Sequence, residues 1–352
     1  MKRGWTRVLR SRTYRLHLWL LVVVIASSVS LVGCGGAKGP GAAAGPTKVR
    51  VALDWYPNSD HAGLYVALER GYFKAAGLEV ELYTPANPSD VLKTVGAGRD
   101  DFGISYQPEV ILARAQGIPV KSIAAIVQYP LDSILTLKSS GITSPAQLRG
   151  KRVGYPGLPL DEALITVLLE KDGLTLKDVE LVNVGYDLVP SLIGRRVDAV
   201  IGAYWTHESI LAEMQGHPVN VLRLEQLGIP RFYELVLVTR DAMVTGRAEV
   251  VERFVKAVVQ GYMEAAKDPA EAFNVLAKRN PEINKDMERQ AIELLAPLFY
   301  KEGEIPIFGW QTLERWDGFM RWMKGVQLLE REIDPREAFT NEFVEKAAKS
   351  GM

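Results

Sequence analysis

Eight consecutive residues, DWYPNSDH from Asp54 to His61, place two acids, a histidine, an asparagine and two aromatic rings side by side. An acid beside a histidine can move protons. Carboxylates and amides beside aromatic faces can instead hold a flat, amine-bearing ring by hydrogen bonding and stacking. A second set, YWTHE, runs from Tyr204 to Glu208. A carboxylate such as Glu208 can accept two hydrogen bonds from an aminopyrimidine edge, one from the amino group and one from a protonated ring nitrogen. Tyr204 and Trp205 offer ring faces next to it. Tyr106 ends the run DDFGISY, Gln128 ends IAAIVQ, and Tyr155 lies in GYPGL, so all three are candidates for the wall of a cleft.

Each of these residues also has a purely structural explanation. Pro57 and Asn58 suit a turn, and Ser59 or Asp60 suits the cap of a following helix. Trp55 and Trp205 suit a core, and Glu208 suits the first turn of a helix, where the macrodipole favours an acid. His61 reads as a ligand-side or a helix-capping group. The GYPGL turn can also present backbone N–H groups to an anion.

Composition removes several classes of chemistry. Cys34 is the only cysteine, so no disulfide framework or cysteine-based metal site is available. His61, His207 and His217 lack zinc spacing. No metal or cofactor is expected, and no catalytic residue is assigned.

The N-terminus has the pattern of an export signal. Lys2, Arg3, Arg7, Arg10, Arg12 and Arg15 precede an apolar run that ends in LVGCGG. LVGCGG resembles the bacterial lipobox, which implies that residues 1–33 are a lipoprotein signal peptide, with an uncleaved transmembrane helix as the alternative. Cys34 is the expected lipidation site, on the extracytoplasmic face of the cell membrane, with residues 34–48 as a flexible tether. Of 42 basic residues, 6 precede Cys34, leaving 36 against 42 acids and a net charge of −6. That balance argues against a nucleic-acid partner.

From Val49 onward, short apolar runs alternate with helical stretches, the pattern of an α/β fold. VRVALDW, LEVELYTP and DDFGISY read as strands, and His61 to Ala76 as a helix. A second alternating set follows Lys138, and the run FYELVLVTRD then carries the chain back. GRDDFGISYQPEVILA and GRRVDAVIGAYWTHESILA echo each other, each with a strand ending in Tyr before a helix. Two α/β lobes are expected around a cleft at such strand ends. The first comprises residues 49–138 and 239–352, including a helical C-terminal extension, and the second residues 139–238.

The lipobox-like LVGCGG, LDWYPNSDHAGLYVALERGYFKAAGLEVEL, LRGKRVGYPG and GAYWTHES together resemble the substrate-binding proteins of bacterial ABC importers. The branch they resemble includes pyrimidine-precursor binders of thiamin salvage and the fungal thiamin pyrimidine synthases. This resemblance implies a bilobal periplasmic-binding-protein-like fold of type II, which captures a small heteroaromatic ligand and delivers it to an ABC permease and its ATPase. A thiamin pyrimidine precursor of the formylaminopyrimidine type is the first ligand, with riboflavin or another flavin and an alkyl sulfonate as alternatives. A monomer is expected. In the synthases the residue matching His61 supplies atoms to the product, with pyridoxal phosphate and a cysteine-rich motif. That motif is absent here, so the resemblance implies a binding protein and not an enzyme. Asp54, Trp55, Asn58, His61, Tyr106, Gln128, Tyr155, Tyr204, Trp205 and Glu208 are the expected ligand-binding residues.

Overall fold

The computed structural model describes residues 45–301 and 303–350. The expected signal peptide, Cys34 and most of the tether lie outside these residues. The last two tether positions, Thr47 and Lys48, already belong to the first strand.

Among the described residues ten strands form two five-stranded sheets. The strands are β1 (Thr47–Ala52), β2 (Leu78–Tyr83), β3 (Phe102–Ser105), β4 (Val120–Val127), β5 (Asp132–Leu137), β6 (Arg152–Tyr155), β7 (Glu180–Asn183), β8 (Ala199–Tyr204), β9 (Val219–Arg223) and β10 (Leu235–Arg240). The first sheet has the order β2-β1-β3-β10-β4 and the second β7-β6-β8-β5-β9. The two orders share one topology. In each sheet three strands run parallel, and one strand arriving from the other side of the molecule inserts antiparallel between the third strand and the edge. The two echoing segments are β3 and β8, each followed by its helix, Gln107–Ala115 or Glu208–Met214. Central strands covered on both faces need apolar side chains throughout. β5 is buried along its whole length but departs from that rule by carrying Asp132, Ser133 and Thr136.

The chain crosses between the sheets at residues 128–131 and 224–234. The boundaries expected at 138/139 and 238/239 instead fall after β5 and inside β10. SSGITSP looks like a junction because it is polar and turn-rich. It is a surface connection within the second lobe, whereas the true crossing carries only QYPL.

Two local expectations also change. His61–Ala76 is not one helix: it runs Ala62–Glu69, breaks at Gly71 with φ of 74°, and resumes at Tyr72–Ala75. The sequence pattern SDVLKTVGAG reads as a short helix capped by Ser89 or Asp90, but neither side chain caps the observed helix Val91–Gly96.

The C-terminal helices pack on the first sheet. Helix Ala248–Lys267 buries Val251, Phe254, Val255, Val258, Val259 and Tyr262 along one stripe, at the spacing of an amphipathic helix. It crosses Ala62–Glu69 where Gly261 faces Gly63. Trp316, Phe319, Met320 and Met323 form the buried face of helix Leu313–Gly325. Among the described residues no helix is long and apolar enough to cross a membrane.

Candidate functional site

The site begins where β1 ends. Asn58 is extended and caps the 3-10 turn Ser59–His61, its side-chain oxygen accepting from the Asp60 N–H at 2.9 Å. The His61 Nδ1 accepts from the Asn58 N–H at 3.3 Å, which places its proton on Nε2, 2.9 Å from Asp54 Oδ1. Asp54 Oδ2 accepts from the Tyr106 hydroxyl at 2.9 Å. Asp54 is thus fixed from two directions by the end of β3 and the turn after β1.

Asp54, Asn58 and Tyr106 face a cavity between the two sheets. The first sheet contributes Asp54, Trp55, Asn58 and Tyr106, and the second contributes Asp132, Asp161, Gly202, Tyr204 and Glu208. Glu234 reaches in from the second crossing. Six of the ten expected residues therefore line one space: Asp54, Trp55, Asn58, Tyr106, Tyr204 and Glu208.

The other four stand elsewhere. His61 is fully buried behind Asp54 and orients it. Gln128 points into the first lobe and donates to the Trp310 carbonyl at 3.1 Å. Tyr155 ends β6 beside the cavity without lining it. Trp205 donates to the Pro130 carbonyl at 3.4 Å and carries the Arg223 guanidinium on its face, 3.8 Å from the ring centre.

Three of the lining acids, Asp132, Asp161 and Glu234, were not among the expected residues. Glu234 accepts from the backbone N–H groups of Leu131 at 2.6 Å and Asp132 at 3.2 Å, and from the Tyr204 hydroxyl at 3.1 Å. Asp132 accepts from the Gly202 N–H at 3.0 Å. Asp161 Oδ2 is buried with no hydrogen-bond partner. Burial pushes all three carboxyls above their ordinary range; repulsion by Asp161 and Glu234 adds to it at Asp132, and repulsion by Glu109 and Glu234 adds to it at Asp161, whereas at Glu234 the hydrogen bonds from Leu131, Asp132 and Tyr204 partly offset it. No lysine or arginine lines the cavity.

A sequence signal for these acids exists. Asp132 and Glu234 are lone acids in the apolar runs YPLDSILTL and FYELVLV, where a buried charge needs a reason.

Beyond Asn58 and Glu208 lies a second, larger compartment with apolar walls from Val189, Leu211 and Met287. Tyr186 closes one side, 4.6 Å centre to centre from Trp55 in an edge-on contact, and donates to the Pro85 carbonyl at 3.0 Å. Together with the cavity this makes a contact region spanning both lobes.

The helix start expected to receive an anion already holds one from the protein. Glu109, 9% exposed, accepts from the Leu160 N–H at 2.8 Å, at the first turn of helix Pro159–Lys171. Burial pushes its pKa to about 7, offset in part by that N–H and by Lys93. A raised carboxyl pKa stabilises the fold fully below about 4.5, and the contribution is lost as pH rises through about 7. Its full size is roughly 3 kcal/mol. Glu109→Gln keeps the acceptor and carries no charge. Its stability in urea should match the wild type near pH 4 and exceed it by up to roughly 3 kcal/mol above pH 8. Parallel pH profiles would show that Glu109 carries no such burden.

Two sheets of one topology, joined by two crossings around a cavity at their strand ends, define the bilobal periplasmic-binding-protein fold of type II, the fold of solute-binding proteins. The alkanesulfonate-binding protein SsuA of Xanthomonas axonopodis pv. citri, solved with MOPS bound, has this fold. It superposes with a TM-score of 0.65 at 16% identity, covering 85% of this chain and 99% of its own. The chain belongs to the family described as NMT1/THI5 like, whose model matches residues 58–272. It is 36% identical over 295 residues to the formylaminopyrimidine-binding protein of Halalkalibacterium halodurans, covering 83% of this chain and 89% of that one. It is also 31% identical over 250 residues to the 4-amino-5-hydroxymethyl-2-methylpyrimidine phosphate synthase THI11 of Saccharomyces cerevisiae, covering 68% of this chain and 73% of the synthase.

Proposed function

We propose that this chain is the solute-binding protein of an ABC importer and that it captures a thiamin pyrimidine precursor of the formylaminopyrimidine type. The observation that carries this reading is the cavity of buried carboxyls with no basic side chain to balance them. A protonated aminopyrimidine supplies both the positive charge and the N–H donors that such a cluster lacks. Tyr106, Tyr204 and Trp55 supply ring faces, and Asp54, Asn58, Asp161 and Glu208 supply acceptors. The same acidity argues against a sulfonate. In this reading Cys34 carries the lipid that holds a monomer at the outer face of the cell membrane. The two crossings then act as the hinge between lobes, and the permease and its ATPase respond to the closed form.

The synthases in the family raise a second reading, a pyrimidine-making enzyme. His61 is buried with both ring nitrogens engaged, and no lysine lines the cavity for a pyridoxal phosphate. Both features favour binding without chemistry. The larger neighbouring compartment gives a flavin enough room to merit inclusion in the test.

Thermal-shift titration separates these ligands. An aminopyrimidine at a hundredfold excess over its Kd should stabilise the protein by about 2.7 kcal/mol. Riboflavin, thiamin and alkyl sulfonates should shift it less. A clear shift with riboflavin and none with any aminopyrimidine would overturn the assignment.

A further inference from the structure

His207 is the residue before the cavity-lining Glu208, and both of its ring nitrogens meet carboxylates. Nδ1 lies 2.7 Å from Glu208 Oε1, and Nε2 lies 3.2 Å from Glu288 Oε1. Glu208 belongs to the second lobe, where its other oxygen accepts from the Tyr204 N–H at 2.9 Å. Glu288 belongs to helix Lys285–Phe299 on the first lobe. Its other oxygen accepts from the Ser59 N–H at 2.7 Å and the Ser59 hydroxyl at 2.6 Å. An unbroken chain of polar contacts therefore runs from the end of β8, through Glu208, His207 and Glu288, to the turn after β1. All four side chains in it are buried.

We propose that His207 is a positioning residue whose bridge between Glu208 and Glu288 clasps the second lobe to the first and holds Glu208 in place for the ligand. Ionised carboxylates only accept hydrogen bonds, so filling both contacts requires a proton on each ring nitrogen. Closure and that proton are consequently linked.

The surroundings agree. Burial opposes the charge, but Glu208 and then Glu288 override it and hold the imidazole pKa well above its ordinary value. The other acids facing this group are Asp60, whose carboxyl oxygens are buried without partners, Asp54 beyond it, and Glu282 at the rim of the second compartment. When the lobes part, Glu288 leaves the ring while Glu208, on the same lobe as His207, stays, so the part of the upward shift that Glu288 supplies is lost. A group raised in the closed form favours closure fully below its open-form pKa and ceases to do so as pH rises through the raised value. Closure should weaken by up to about tenfold per pH unit over that window.

This inference rests on the binding reading only for its ligand arm. The first measurement is the closed fraction of ligand-free protein by small-angle scattering from pH 6 to 9, for wild type, His207→Gln and Glu288→Gln. Wild type should open as pH rises, and both variants should be more open at pH 6.5 with a flattened profile. The second is the affinity for 4-amino-2-methylpyrimidine by calorimetry, where His207→Gln should lose about 10- to 100-fold at pH 6.5 and progressively less at higher pH. Unchanged scattering profiles in both variants would overturn the clasp. A His207-dependent profile with no pyrimidine binding by any variant would support the clasp and overturn the ligand assignment instead.

Discussion

Asp161→Asn is expected to raise the melting temperature of the ligand-free protein while weakening capture of an aminopyrimidine by about 10- to 150-fold. Both effects come from one carboxyl. Asp161 is 2% exposed, one of its oxygens has no partner, and burial, Glu109 and Glu234 all disfavour its charge. An unsatisfied buried polar group costs about 1–3 kcal/mol. An amide carries no charge and brings two donors into a cluster that holds only acceptors. The gain should amount to a few degrees at neutral pH. It should vanish in acid, because a carboxyl with a raised pKa begins to burden the fold only above its ordinary unfolded-chain pKa and does so fully once pH passes the raised value. Binding moves the other way. A hydrogen bond to a charged group contributes about 1.5–3 kcal/mol, which corresponds to the stated loss in affinity. Differential scanning of the ligand-free variant and calorimetry with the pyrimidine measure the two halves. A stabilised variant with unchanged affinity would remove Asp161 from the ligand's contacts.

Gly261→Ala should be strongly damaging. A Cβ there would stand 2.1 Å from the Gly63 carbonyl oxygen and 3.0 Å from the Ala67 nitrogen, and both are backbone atoms of the facing helix. No rotamer change relieves such a clash, so the helices must separate. Overpacking of this kind costs about 1–3 kcal/mol, occasionally more. The damage should reach the site as well. Tyr262, the next residue, donates to the Asp60 carbonyl at 2.8 Å and so seats the turn that carries His61 behind Asp54. Gly261→Ala should therefore lower both the urea midpoint and pyrimidine affinity, whereas Asp161→Asn lowers only the second. A loss of stability below about 0.5 kcal/mol would mean that the crossing accommodates a side chain, since changes of that size are typical of unconstrained surface sites.

What the sequence made legible follows the range of the interactions involved. β1, β3 and β8 carry local apolar runs, and the Tyr-before-helix echo located Tyr106 and Tyr204 in equivalent places on two sheets. Asp54 and Asn58 could be read because the turn that holds them is eight residues long. Asp132 and Glu234 stand out in the sequence only as lone acids in apolar runs, with nothing local to bring them together. They meet only because the chain crosses between lobes twice, and the contact from the Asp132 N–H to Glu234 joins positions 102 apart. Asp161 is disguised as an ordinary first-turn helix acid. His207 is disguised by the search for zinc spacing, because its partners are two carboxylates, one of them 81 residues away. Trp205, Gln128 and Tyr155 have the right chemistry at strand ends, but their side chains leave in other directions, which residue type alone does not determine.

The placement of β10 has a consequence for how the molecule is made. It lies between β3 and β4, so the first sheet stays in two pieces until residues 235–240 have been synthesised. The second sheet draws all its strands from one continuous stretch, residues 132–223, and can assemble earlier. The N-terminal strands must therefore wait, unpaired along one edge of β3, for a partner that emerges some 130 residues later. Such late, long-range pairing slows folding and exposes a sheet edge to aggregation. The lobe that begins the chain is thus the last to be completed.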